Sequence, residues 1–259
     1  MNKILIAVAI YDTDENKRTK YTIETYKSLF KTINTKTTEV YFVDNASCKK
    51  TKNFLKSIKD NYFHVITNEK NAGTAEAINK VIKLRKKRDN TYIVKMDNDI
   101  TVEEYGWADK LVTCFERDKK LGILGLKRKD LKDSPTSDEY KTNLRFLPHK
   151  LDQTWLPIEE SEDILGSCTM YNPLLLDKVG YLYQPAIYGY DDVLMSKRSI
   201  LSGFYNAFYP SIEINHIDTG GTIFIEWKKE IAGSYMNTVV KIIKEYQSGN
   251  RPLYYNPFE

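Results

Sequence analysis

Apolar positions in the first half of the chain fall into short continuous runs separated by amphipathic stretches. Ile4–Ile10 is unbroken, the pattern of a strand covered on both faces. Ile23, Tyr26, Phe30 and Ile33 then recur at helical spacing. Val40–Val43 reads as a second buried strand, Phe54, Leu55 and Ile58 as a short helix, and His64–Ile66 as a third strand. Ala75, Ile78 and Ile82 lay an apolar stripe along a helix starting near Thr74. Tyr92–Met96 is a fourth strand, Ala108, Leu111, Val112 and Phe115 mark another helix, and Leu121–Leu126 closes this half. The alternation predicts an α/β fold with a mostly parallel, doubly wound sheet, whose ligands bind at the carboxyl ends of the strands.

The texture changes from Lys127 to Glu162, where charges and Pro135, Pro148 and Pro157 interrupt every period. This stretch reads as a long irregular segment of the kind that covers a site. Ile164–Tyr171 resumes as a strand, and Pro173 suits a helix start. Asp191–Leu201 reads as a helix ending at Gly203, followed by strand-like Phe208–Tyr209 and Ile212–Ile214. A final helix spans Phe224–Tyr246, with Ile231, Val239, Ile242 and Tyr246 inward. With no internal repeat, residues 1–259 read as one domain.

Composition narrows the class. A hydrophobic fraction of 41% and an aromatic fraction of 12% fit a globular chain. A net charge of +4 permits an anionic ligand without demanding one. The three cysteines, Cys48, Cys114 and Cys168, are far apart and form no Cys-x-x-Cys pair, so a zinc or disulfide framework is not expected and a reducing cytoplasm is. The apolar start passes into Tyr11-Asp12-Thr13-Asp14 without a cleavage site and reads as a buried strand. No stretch is long enough for an integral membrane segment.

Candidate chemistry gathers where strands end. Asp97-Asn98-Asp99 follows the fourth strand, and two carboxylates two positions apart on extended backbone share a side, where they can hold a divalent cation. A calcium loop starting at Asp97 would need Gly and Glu where Val102 and Ala108 stand. Gly73, just before a helix, permits close approach of a ligand to the backbone; it also fits an ordinary turn. No phosphate-loop or dinucleotide glycine pattern follows any strand. Asp191 and Asp192 suit the first turn of a helix and equally a general base. His216 suits a buried hydrogen-bonded histidine or a third metal ligand. The basic runs at 83–88 and 127–129 read as solvated faces before nucleic-acid contacts.

Together these segments resemble the family 2 glycosyltransferases, which have the GT-A fold, from about Lys3 to Asp218. Val8-Ala9-Ile10-Tyr11 is similar to that family's first strand and base-contacting loop, and Val43-Asp44-Asn45-Ala46-Ser47 to its second-strand motif. Asn68 to Gly73, with Ala75 and Asn79, resembles its Asn-x-Gly approach to a helix, and Asp97-Asn98-Asp99 its Asp-x-Asp motif. Leu165 to Met170 resembles the acceptor-side strand. Gly189-Tyr190-Asp191-Asp192-Val193, with Arg198 and Gly203, resembles the Glu-Asp catalytic segment, and His216 a histidine that many members carry.

The resemblance implies a nucleotide-sugar-binding half at 1–126 and an acceptor-binding, catalytic half at 127–259. It implies donor contacts from Ala9, Tyr11, Asp44, Asn71, Gly73, Asp97, Asn98 and Gly166, and Mn²⁺ or Mg²⁺ on Asp99, Asp97 and His216. Asp192 is expected as the base with Asp191 beside it, although Asp-Asp in place of Glu-Asp leaves the choice between them open. Leu194 also departs from the pattern, standing where an acidic residue is frequent. The expected reaction is an inverting, single transfer from a nucleoside-diphosphate sugar, UDP favoured, to a hydroxyl acceptor. A bacterial surface glycan is the favoured acceptor, with a hydroxylated base in DNA as the alternative. A sugar nucleotidyltransferase would need a Gly-rich basic loop where Tyr11 to Glu15 stand. A nucleotide-sugar-binding protein without turnover is the alternative of another class.

Overall fold

Strand β1 (Lys3–Ile10) sets the layering, because alternate side chains leave opposite faces of a strand. Ile4, Ile6, Val8 and Ile10 enter one apolar cluster, and Leu5 and Ala7 enter the other. The computed structural model describes residues 3–86, 88–131, 143–148, 154–164, 166–218 and 223–259. The first half alternates β1, α1 (Thr19–Thr32), β2 (Thr38–Asn45), α2 (Lys49–Ser57), β3 (Phe63–Asn68), α3 (Thr74–Ile82) and β4 (Thr91–Asp97). Next come β5 (Ile100–Thr101), α4 (Trp107–Arg117) and β6 (Leu121–Arg128), whose last residues lead into a short 3₁₀ turn. The second half adds β7 (Asn143–Pro148), β8 (Trp155–Glu160), β9 (Cys168–Tyr171), α5 (Pro173–Val179), α6 (Asp191–Leu201), β10 (Tyr205–His216) and α7 (Ile223–Gln247).

The described strands join one ten-stranded sheet in the order β3-β2-β1-β4-β9-β6-β10-β8-β7, with β5 paired to β10. Pairing is parallel from β3 through β4 and again between β6 and β10. Strand β9 runs antiparallel between β4 and β6. Trp107, Leu111 and Phe115 of α4 and Leu29 of α1 cover one face, while α3 and α5 cover the other. No described helix is long and apolar enough to cross a membrane.

Several boundaries differ from the sequence pattern for identifiable reasons. On α1 the buried line is Thr22, Thr25, Leu29 and Thr32, whereas Phe30 is 47% exposed. Tyr26 instead packs its ring on Phe42, Phe54 and Phe63, and the Thr22 hydroxyl joins a buried polar network. Strand β9 starts at Cys168 because Gly166 and Ser167 form a turn below the cavity; Leu165 lies outside the described residues. The two strand-like pieces near 208 and 214 are one strand, β10, whose register on β6 shifts between Tyr209 and Glu213, where Pro210 lacks a ladder N–H. Beyond the shift, β10 reaches β5 and pairs His216 with Ile100.

The segment expected as an irregular cover instead contributes the β7–β8 hairpin to the sheet edge. Residues 132–142 and 149–153 of it lie outside the described residues. At the other end, α7 packs Val239, Ile242 and Tyr246 against Leu194 of α6, and Ile231 is half-buried. Leu194 is thus a core residue of a helix pair.

Candidate active site

The parallel strands β1 and β4 end at one level, where Ala9 pairs with Asp97. A cavity of about 290 Å³ opens there, at the carboxyl ends of the strands. Ala9, Tyr11, Asn71, Gly73, Asp97, Asn98, Asp99, Gly166, Asp191, Asp192 and His216 all line it. Asp44 is not among the lining residues. Its Oδ1 accepts the Ser47 N–H at 2.8 Å and shapes the turn that carries Ala46 at φ 61°. Its neighbour Asn45 reaches the cavity and donates to the Gly73 carbonyl at 3.2 Å. Gly73 itself, at φ +88°, faces the Ile187 carbonyl so closely that a Cβ would sit 2.8 Å from that oxygen.

One corner of the cavity is acidic and basic at once. Asp99 is 2% exposed, and its Oδ2 accepts from Arg18 Nη2 at 2.6 Å and lies 3.2 Å from His216 Nε2. Arg18 also pairs with Asp218. Burial works against the Asp99 carboxylate, yet the hydrogen bond with His216 and the Arg18 charge hold it well below the usual carboxylate range. Its Oδ1 has no hydrogen-bond partner among the described residues. An ionised carboxylate with one orphaned oxygen beside an imidazole fits a hard divalent cation. Asp97 does not complete a trio: among the described residues, no group of three His, Cys, Asp or Glu side chains is placed to hold a metal ion. Strand β4 ends at Asp97, so the alternation that would align Asp97 with Asp99 stops two residues short of Asp99.

The carboxylate pair lines the same cavity. Tyr190, in the left-handed region at φ 66°, turns the chain into α6 so that Asp191 and Asp192 occupy its first turn. Asp191 pairs with Lys95, and the Gln184 side-chain amide lies 3.4 Å from its other oxygen. Asp192 accepts the Gly166 N–H at 3.0 Å and the Val193 N–H at 2.8 Å. Burial pushes the Asp192 carboxyl up; Lys95 opposes this and Asp191 adds to it. For Lys95 burial acts downward, but Asp191 and Asp192 more than offset it and keep the ammonium charged. Gly166 sits where these groups converge: a Cβ there would lie 2.7 Å from Lys95 Nζ and 3.0 Å from Asp192 Oδ2.

Sequence reasoning passed over Lys95, Arg18, Asp12 and Asp218. Lys95 carried a signal, a charge in the middle of an apolar strand. Arg18 and Asp12 lie near or within a polar loop with no period. Asp12 is wholly buried and accepts from Thr22 at 2.7 Å, Thr51 at 3.0 Å and Asn98 at 2.9 Å. Arg198, expected within the catalytic segment, is also wholly buried. It donates to the backbone carbonyls of Leu253, Tyr181 and Val179, and burial lowers it to about 10.

The chain has known structural relatives. It superposes on the mannosyltransferase PcManGT from Pyrobaculum calidifontis, in complex with GDP-Man and Mn²⁺, with a TM-score of 0.66 at 13% identity, covering 92% of this chain and 64% of that one. GalNAc-T7 with UDP, GalNAc and Mn²⁺ gives 0.58 at 14% identity, covering 83% of this chain and 44% of that one. Residues 1-349 of S. aureus TarS in complex with UDP-GlcNAc give 0.60 at 18% identity, covering 95% and 71%. At these identities the likeness is one of fold. No curated protein matches the chain in sequence. The sequence model of glycosyl transferase family 2, however, matches residues 9–180, more than half of the chain. The chain therefore belongs to glycosyl transferase family 2.

Proposed function

We propose that this chain transfers a sugar from a nucleoside-diphosphate sugar to a hydroxyl acceptor, with UDP as the nucleotide. One observation carries the reading: the Asp99–His216 corner and the Asp191–Asp192 pair line the same cavity. The sugar nucleotides and Mn²⁺ bound by the fold relatives support it.

Asp99 and His216 would hold Mn²⁺ or Mg²⁺, with Asp97 at the edge of that corner. When bound, the cation supplies Lewis-acid stabilisation of charge on the departing diphosphate. Asn45, Asn71 and the Gly73 backbone, with Ala9 and Tyr11, line the cavity and would hold the nucleoside half of the donor. Asp192 takes the acceptor hydroxyl's proton as that oxygen attacks the anomeric carbon from the side opposite the leaving group, which inverts the configuration. Its raised basicity suits this role, and its tie to the Gly166 amide fixes its direction. Asp191, already engaged by Lys95, positions the acceptor.

A glycan acceptor is favoured over DNA. The basic run at 83–88 is partly internal: the Arg85 guanidinium bonds Asp177 Oδ1 at 2.7 Å and Lys83 lies over the Phe258 ring at 4.3 Å. Lys87 lies outside the described residues. The test is nucleotide release from a panel of UDP- and GDP-sugars with Mn²⁺. Release from at least one donor, stimulated by glycan acceptors and not by DNA, is expected; no release from any donor would contradict the reading.

A further inference from the structure

Arg18, the residue before α1, is only 3% exposed although it lines the cavity. Its guanidinium is held on every side that the polar network offers. Nη2 donates to Asp99 Oδ2 at 2.6 Å and to Asn98 Oδ1 at 3.2 Å, and Nη1 to Asp218. Asn98 is fixed in turn, donating to Asp12 at 2.9 Å and to the Thr22 hydroxyl at 2.8 Å. This fork joins three segments: the start of α1, the turn after β4, and the chain just past β10.

Two possibilities follow for a guanidinium beside a cation site: it competes with the metal for Asp99, or it holds Asp99 for the metal. Competition would require Arg18 to leave two buried carboxylates and the Asn98 carbonyl, which would strand charges in the interior. The contacts also divide the carboxylate. Asp99 Oδ2 is taken by Arg18 and faces His216, while Oδ1 has no hydrogen-bond partner among the described residues.

We infer that Arg18 is a positioning residue of the metal corner: it fixes Asp99 by Oδ2, with Asp218 as its second anchor, so that Oδ1 is presented to the cation. The inference rests on the nucleotide-sugar reading above and names what orients its metal ligand. Outer-sphere partners of this kind affect metal affinity by about 10–100-fold. An ammonium keeps the charge but cannot span both carboxylates in the geometry of the fork.

The test titrates UDP into the chain of residues 1–259 with and without MnCl₂, and MnCl₂ into the UDP-saturated protein, for wild type, Arg18→Met, Arg18→Lys and Asp218→Asn. Arg18→Met is expected to lower Mn²⁺ affinity by about 10–100-fold while leaving metal-free UDP binding near wild type. Arg18→Lys should recover part of the loss, and Asp218→Asn should show a smaller loss in the same direction. A purely structural role would lower the melting temperature without changing the ratio of Mn²⁺-assisted to metal-free affinity. If Arg18→Met is too unstable to measure, Arg18→Lys and Asp218→Asn decide alone. Unchanged Mn²⁺ affinity in the variants overturns the inference, and tighter binding would make Arg18 a competitor. If the wild type itself shows no effect of Mn²⁺ on UDP binding, the metal reading fails first, and the role of Arg18 falls with it.

Discussion

Lys95 and Asp191 form an ion pair in which each side chain is only 5% exposed. It joins the fourth strand to the first turn of α6, and so ties the strand that leads to Asp97 and Asp99 to the carboxylate pair. Removing one member strands the other in a site that water hardly reaches. Lys95→Met should therefore destabilise the fold by about 3–5 kcal/mol, read by urea unfolding. The double variant Lys95→Met with Asp191→Asn should recover much of that loss. Additive losses would mean that the two side chains do not act as a pair.

Gly166 is required by the same junction. A methyl group there would meet Lys95 Nζ at 2.7 Å and Asp192 Oδ2 at 3.0 Å. Gly166→Ala should cost about 1–3 kcal/mol in stability and should also slow transfer, because it displaces Asp192. Thermal melts beside initial rates check both effects. A variant with wild-type rates would show that Asp192 does not depend on this contact.

The strand–helix alternation was legible because buried parallel strands read as unbroken apolar runs, as in Ile4–Ile10 and Tyr92–Met96. The face of α1 was legible only in part: Ile33 is buried and Tyr26 packs on the core, but Thr22, Thr25 and Thr32 are buried beside Leu29 and Phe30 is half-exposed. The placement of His216 depended on the shifted register of β10 at Pro210, which no periodicity encodes. Family likeness led to the carboxylates of the site. Arg18 and Asp218 are 200 residues apart, and only the folded chain joins them.

Asp99 supplies the third prediction. Asp99→Ala removes the carboxylate with the orphaned oxygen and should cost more Mn²⁺ affinity than the about 10–100-fold expected for an outer-sphere partner. Arg18 keeps Asp218 in this variant, so the fold should persist. Calorimetric titration of Mn²⁺ into the UDP-saturated variant is the check. Wild-type affinity would remove Asp99 from the metal corner.

The pH dependence follows from Asp192. Its carboxyl is pushed up, chiefly by burial. A base acts only when deprotonated, so transfer should fail as pH drops through that raised value, at a higher pH than an ordinary carboxylate would give. Stability runs the other way. The contribution of this group is full below the ordinary carboxylate pKa and is lost as pH rises through the raised one. Asp192→Asn should abolish that stability slope. A rate profile of the wild type with its acid limb in the ordinary carboxylate range would contradict the assignment.

The central claim is that Asp192 is the base of a sugar transfer in this cavity. Its most direct test is the transfer rate of Asp192→Asn under saturating donor and acceptor, with donor affinity measured alongside. Asparagine keeps the size of the side chain and can still accept the Gly166 N–H, but it cannot take a proton. The rate should fall by about 10²–10⁴-fold, or about 3–5 kcal/mol of barrier, with donor affinity near wild type. An unchanged rate would contradict the mechanism, and a fall of this size in Asp191→Asn instead would move the base to Asp191.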